Sequence, residues 1–159
     1  KPFSKVKISY RHYPESDTEF ARAFRLPEAY LNLAEAKAML YKINGDAAAR
    51  TVALEKLNYL RLYRFDPEQY EKKDISNPDD LVTFIREERR RELCFENHRW
   101  FDLRRYGMPS ITHEWKSDGK VIKRYTLKEK DLFYTWPIPQ EVMEENRKLV
   151  QNPLPEVRN

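Results

Sequence analysis

Glycine and cysteine are scarce in this sequence, and each shortage excludes a class of protein. Three glycines in 159 residues argue against a β-sandwich and against a glycine-rich nucleotide-binding fold. The single cysteine, Cys94, excludes an intrachain disulfide framework. Charged residues make up 35% of the chain and hydrophobic residues 40%, which excludes a membrane span and favours one domain with its own core.

A large excess of charge of one sign is also missing. The chain has 30 basic and 26 acidic residues, a net charge of +4, and the surplus is spread along the sequence. Proteins that bind nucleic acid usually concentrate positive charge on one face. In the most charged stretch, residues 86–107, acids alternate with bases, so their fields largely cancel. We therefore expect no nucleic-acid partner.

Metal ligands at suitable spacing are equally few. Cys94 and His98 lie one helical turn apart, but a zinc site needs at least a third protein ligand. His12 and His113 are distant in sequence and show no ligand spacing. We expect no metal and no cofactor, with a buried thiol at Cys94 and a partly exposed imidazole at His98.

Two helices are predicted over residues 26–44 and 47–63. Gly45 fits the left-handed position that ends a helix, and Asp46 fits the N-cap of the next one. Helices joined by so short a turn lie antiparallel, as in the units that stack into TPR-like arrays. No second copy of this unit recurs at a clean period.

A third, longer helix is predicted over residues 78–106. Asn77 is a suitable cap, Pro78 fits the first position, and Gly107 ends the helix.

Short β elements are predicted outside the helices. Asp118-Gly119 stands between two β-prone runs and predicts a hairpin near residues 112–126. Residues 108–135 would then form a hairpin or loop insertion, and alternation over residues 3–13 predicts a short strand. The predicted fold is mainly α, a TPR-like helical scaffold with a small β-hairpin.

The third predicted helix carries charges inside its apolar stripe. The stripe comprises Leu81, Ile85, Leu93, Trp100 and Leu103, and Arg89, Glu92, Glu96 and Arg99 fall on or beside it. Buried charges must be paired, because a stranded ion costs several kcal/mol. We predict a structural ion-pair network of Arg61, Arg89, Glu92, Glu96, Arg99 and Asp102, in which Arg61 reaches Glu92 or Glu96. Spacing within the helix also predicts i,i+3 pairs such as Asp102 with Arg105.

Five stretches in this order resemble the SusD/RagB family. They are RLPEAYLNLAEA at residues 25–36, LEKLNYLRLYR at 54–64, IREERRRELCFENHRWFDLRRYG at 85–107, TWPIPQEV at 135–142 and LVQNP at 149–153. The chain departs from the family at Asn97-His98, where a glycine often follows Phe-Glu, and at Asn146-Arg147, where Asn-Pro is common.

The resemblance implies a function and a place for it. Proteins of this family are non-enzymatic, surface-exposed outer-membrane lipoproteins of Bacteroidetes that capture glycans or peptides. They deliver them to a SusC-like TonB-dependent transporter. The start, KPFSKVKIS, has neither Met nor an apolar signal core. We therefore expect residues 1–159 to be the C-terminal domain of a longer protein, with the anchor, the signal peptide and an N-terminal part outside this chain. The helix pair at 26–63 should then expose apolar surface.

Three acidic residues of the third predicted helix could serve in catalysis. Glu88, Glu92 and Glu96 could be glycosidase acids, but each has an arginine next to it or three positions away and all lie on one helix, so no enzyme activity is expected.

The candidate ligand-binding residues are Trp115 and Tyr125, large aromatics on a polar hairpin. The alternative is that they form a small hydrophobic lid under the hairpin. Trp100, Phe101, Tyr106 and Trp136 have core spacings and are predicted to pack inside. The alternative function is a helical-repeat adaptor that scaffolds a protein complex.

Overall fold

The computed structural model describes residues 25–154, and the strand predicted over residues 3–13 lies outside them. In chain order the elements are α1 (Leu26–Asn44), α2 (Ala47–Leu62), α3 (Pro78–Glu92), α4 (His98–Arg105), β1 (Ile111–Ser117), β2 (Lys120–Leu127), a 3-10 helix (Leu132–Tyr134) and α5 (Gln140–Glu145). The prediction of a mainly α fold with a small β-hairpin is confirmed. The chain divides after Glu88 into two compact units. The assignment of 1–159 as one domain, with an insertion at 108–135, stays a prediction.

In the first unit, α1 and α2 form the predicted helical hairpin. Gly45 ends α1 in the left-handed conformation, and its amide donates to the Tyr41 carbonyl. The side chain of Asp46 accepts from the Ala49 amide and caps α2. The two helices pack along each other, with alanines of both in their interface. Small side chains let the helix backbones approach closely. The bounds of both helices and the antiparallel turn agree with the prediction.

The first turns of α3 complete the core of this unit. Asn77 caps α3 by accepting from the Asp79 and Asp80 amides at 2.9 and 3.1 Å. The buried cluster contains Ala34, Ala38, Ala53, Leu54, Leu57, Leu81, Val82 and Ile85. Asn58 fastens the loop before α3, because its side-chain amide exchanges two 2.8 Å hydrogen bonds with the Lys73 backbone.

The second unit begins with the last turn of α3, and there one prediction was wrong. The single helix predicted over 78–106 is broken at residues 93–97, and α4 starts again at His98. Phe95 and Asn97 have positive φ of 65° and 64°, a left-handed conformation that cannot continue a right-handed helix. The break also leaves Cys94 exposed rather than buried as predicted.

The β-hairpin agrees with the prediction to within one residue at each end. Its strands pair antiparallel, with Ile111 opposite Leu127 and His113 opposite Tyr125, and an irregularity follows Trp115. Asp118 and Gly119 both have positive φ, 47° and 75°, which suits a two-residue hairpin turn.

The segment after the hairpin is largely extended apart from the 3-10 helix and α5. Side-chain amides hold it in place. Gln151 both accepts from the Ile138 amide and donates to the Ile138 carbonyl, at 2.8 and 2.9 Å. Asn152 donates to the Trp136 carbonyl at 2.9 Å. Within residues 25–154, no helix combines the length and apolar character that crossing a membrane requires.

Candidate functional site

The second unit contains an open cleft of about 1310 Å³ between α4, the hairpin and the extended segment after it. Its lining is largely apolar and includes several basic side chains. Among the lining residues are Arg99, Trp100, Phe101, Arg104, His113, Lys123, Arg124, Tyr125, Phe133 and Trp136. Clefts of this kind, apolar with a few polar groups, are the usual form of a ligand site.

Four aromatic side chains of the cleft are exposed to solvent. Trp136 is 74% exposed, Phe101 68%, Tyr125 49% and Phe133 42%. The prediction that Phe101 and Trp136 pack in the core was wrong, because both face the open cleft. Large exposed aromatics gathered in one concave surface indicate a binding site more than a stability role.

The cleft rests on a stacked aromatic pair. Trp100 stacks on Tyr134 with ring centroids 5.0 Å apart and planes 24° from parallel. Tyr134 is fully buried, and its hydroxyl donates to the Pro109 carbonyl at 2.5 Å. Burial raises the pKa of the Tyr134 phenol above its ordinary value. Trp100 is half-buried, in agreement with its predicted packing role.

Trp136 is held in place from its backbone. Asn152 binds the carbonyl of Trp136, and Gln151 binds both backbone groups of Ile138 two residues later. Pro137 and Pro139 further restrict the chain around them. An exposed indole on a fixed backbone loses little conformational freedom on binding, which favours a contact role.

The hairpin contributes one face to the cleft. His113, Tyr125 and Lys123 share that face through the pairing of β1 with β2, and the Lys123 ammonium lies 5.1 Å from the centre of the Tyr125 ring. Trp115 shares the hairpin and is 62% exposed, but it does not line the cleft. Of the two predicted ligand residues, the structure therefore places only Tyr125 in this cavity.

Ion pairs that include predicted network residues occur in each unit. In the second unit, Arg89 Nε donates to both carboxylate oxygens of Asp102, and Arg105 adds a contact to Asp102 at 3.1 Å. Glu92 and Glu96 are half-buried and Arg99 is exposed, so the expectation that Arg99 is buried was wrong. Because residues 93–97 form a turn and not a helix, Arg99 no longer falls on the apolar stripe of one continuous helix.

In the first unit, Arg61 pairs with Glu88. Its predicted pairing with Glu92 or Glu96 of the second unit stays a prediction. Arg61 Nη1 lies 2.7 Å from Glu88 Oε1, and the guanidinium stacks 4.5 Å from the Phe65 ring centre. A second pair joins Arg86 on α3 to the buried Glu35 on α1 at 3.0 Å. Sequence reasoning missed Glu35, although a lone acid between Ala34 and Ala38 on the buried side of α1 signals such a pair.

No group of three His, Cys, Asp or Glu side chains that could hold a metal occurs within the described part of the chain. The cleft must therefore be judged by its aromatic and cationic side chains.

A comparison with protein families matches a profile of the SusD family over residues 9–154. The chain belongs to the SusD family. SusD-family membership indicates a nutrient-binding role at the outer membrane, where the family is typically found. SusD-family proteins are generally non-catalytic binding proteins. A comparison with curated proteins found no match.

Proposed function

We propose that the chain captures a glycan, or a peptide, at the bacterial surface and passes it unmodified to a SusC-like TonB-dependent transporter. The observation that carries this proposal is the open cleft with Phe101, Tyr125 and Trp136 exposed in it. Aromatic faces suit the apolar faces of sugar rings, and family membership supports a nutrient as the ligand.

The size of the cleft supports a chain of several units. Ligand pockets for drug-sized molecules have volumes of about 300–1,000 Å³. The cleft, at about 1310 Å³, exceeds that range and is open to solvent. An oligosaccharide therefore fits it better than a single sugar does.

The composition of the cleft supports capture without hydrolysis. Glycoside hydrolysis by the common mechanisms needs two carboxyl groups on either side of the scissile bond. The lining residues that belong to the described part of the chain include neither Asp nor Glu. We expect no release of reducing sugar from any glycan that binds, measured with the purified chain over a prolonged incubation.

The proposal includes a location and two partners. The protein would act as a surface-exposed lipoprotein of the outer membrane, with the present residues as the C-terminal domain of a longer chain. An N-terminal part of the same protein and a SusC-like transporter would complete the uptake complex.

A glycan array followed by co-purification tests the proposal. The chain should bind one class of oligosaccharide on the array, and the full-length protein should co-purify with a SusC-like transporter. Trp136→Ala should lose the array signal, whereas Tyr63→Ala, which removes an exposed aromatic of the first unit, should keep it. A chain that binds no glycan and no peptide contradicts the proposal.

A second candidate, the protein-binding adaptor, is favoured by an apolar stripe on α1. The stripe consists of Leu26, Ala29, Leu33, Ala36, Leu40 and Ile43, all exposed and alternating three and four residues apart. This is the spacing with which one helix packs along another. It also provides the exposed apolar surface expected on the helix pair at 26–63.

One double variant distinguishes glycan capture at the cleft from the adaptor function. Leu33→Glu combined with Leu40→Glu should leave glycan binding unchanged if the cleft is the functional site. An adaptor would instead lose its protein partner with this variant and show no glycan binding in the wild type.

A further inference from the structure

We infer that the oligosaccharide taken by the cleft is anionic and carries uronate carboxylates or sulfate groups. The inference rests on the proposed function and specifies its substrate class. The structural observation is the one-sided charge of the cleft, whose lining combines aromatic side chains with basic ones.

Within residues 25–154, every charged side chain that lines the cleft is basic. These side chains are Arg99, Arg104, Lys123 and Arg124, and His113 also lines the cleft. The chain as a whole has nearly balanced charge, 30 basic against 26 acidic residues. A concave surface with cations and no carboxylate therefore differs from the average surface of this protein, and it concentrates a positive field on a bound ligand.

Several bases elsewhere in the second unit are matched by acids. Arg105 contacts Asp102, Lys116 contacts Glu114, and Lys130 lies beside Glu129. Pairing of this kind is how a protein neutralises its own surface charge.

Three cations of the cleft differ from those matched bases. Arg99, Arg104 and Lys123 are exposed and make no ion pair within residues 25–154. Lys123 lies over the Tyr125 ring. Arg124 contributes less, because Glu114 already accepts from its Nε at 2.9 Å.

The chemistry of these cations fits carboxylate and sulfate groups. A guanidinium presents a planar fork of donors that can bind two oxygens of one anion at once. The exposed rings of Phe101, Tyr125 and Trp136 would contact sugar faces while the cations bind the substituents. A neutral sugar would use only the rings, so the anionic form should bind about tenfold more tightly or better.

Calorimetric titrations of matched oligosaccharides test the inference with the chain 1–159. Oligogalacturonate is compared with its methyl ester, which keeps the same backbone but removes the charge. A sulfated carrageenan oligosaccharide is compared with the same oligosaccharide after desulfation. Tighter binding in the first pair identifies carboxylate as the recognised anion, and tighter binding in the second identifies sulfate. The preference should shrink as salt is raised, because the cations are exposed to screening.

Two double variants that remove the same charge test whether the preference for anionic oligosaccharides arises at the cleft. Arg104→Gln with Lys123→Gln should weaken binding of the anionic oligosaccharide about tenfold and leave the neutral one unchanged. The control, Lys120→Gln with Lys148→Gln, removes the same charge from exposed lysines that do not line the cleft, and it should have little effect. Equal weakening by both variants would show a general charge effect and overturn the inference.

The remaining outcomes separate the inference from the proposed function. If neutral oligosaccharides bind as tightly as anionic ones, the anion preference is wrong and glycan capture stands. If no oligosaccharide of the two pairs binds and a peptide does, capture stands and the inference fails. Adsorption to phosphatidylglycerol vesicles without saturable oligosaccharide binding would overturn both.

Discussion

Arg89 Nε donates to both carboxylate oxygens of Asp102, at 3.0 and 2.9 Å, with side chains only 6% and 8% exposed. The pair joins the last turn of α3 to α4 across the helix break at residues 93–97. Because α4 carries Phe101 and Arg104 into the cleft, the pair also fixes one wall of the candidate site.

Removing the carboxylate of this pair should be strongly destabilising. Asp102→Ala leaves the buried Arg89 guanidinium without its partner, which costs about 3–5 kcal/mol of unfolding free energy. Glu129→Ala, which breaks the exposed pair with Lys130, should cost less than about 1 kcal/mol. Urea unfolding measures both. Similar midpoints for the two variants would show that the Arg89–Asp102 pair contributes no more than a surface contact.

The left-handed conformation of Asn97 predicts a graded response to substitution. Asn97 has φ 64° and ψ 9°, a region that glycine and asparagine adopt readily. Asn97→Gly should leave stability unchanged or slightly raised, whereas Asn97→Val should lower it by about 1–2 kcal/mol. Thermal unfolding of the two variants checks this. If valine is tolerated as well as glycine, α3 and α4 form a continuous helix in solution.

Burial of Tyr134 predicts a loss of stability at alkaline pH. Its pKa is raised above 10.0, first by desolvation, so the folded state holds the phenol proton more tightly than the unfolded state does. The resulting stabilisation is complete below pH 10 and falls as pH rises through the folded pKa.

The variant Tyr134→Phe isolates that contribution. At pH 8 it should be less stable than wild type by about 1 kcal/mol, because the hydrogen bond to Pro109 is lost. The difference should shrink or reverse as the pH rises above 10. Parallel pH profiles of the two melting temperatures would contradict this role of the phenol.

The ends of α1, α2 and the hairpin can be predicted from sequence because local residues fix them. Gly45 ends α1, Asp46 caps α2, and Asp118-Gly119 forms the hairpin turn. Each depends on the conformation of one or two residues and not on packing.

The break between α3 and α4 could not be predicted in this way. The apolar spacing continues through it, from Leu93 to Trp100 and Leu103, and neither Gly nor Pro interrupts residues 93–97. Asn97 is the one local sign, since asparagine tolerates the left-handed region.

The partners of the buried charges depend on tertiary packing. Of the i,i+3 pairs, Asp102–Arg105 is present. The most buried pairs, however, are Arg61–Glu88 and Arg89–Asp102, which are 27 and 13 positions apart. Periodicity shows that these charges fall on a buried stripe but not which charge each one meets.

The candidate site was only partly predictable for the same reason. Tyr125 could be named because a large aromatic on a polar hairpin is unusual. Phe101 and Trp136 have the spacing of core residues, and their exposure follows from how α4 and the extended segment are placed around the cleft. Whether Trp115 contacts a ligand stays a prediction.

The most direct test of glycan capture at this cleft is a calorimetric titration of the tightest-binding oligosaccharide against aromatic variants. Trp136→Ala and Tyr125→Ala should each weaken binding about tenfold or more, since each removes a stacking surface, with Tyr63→Ala unchanged. The purified chain should leave the oligosaccharide intact after the titration. Undiminished binding by the Trp136→Ala, Tyr125→Ala double variant would contradict the account.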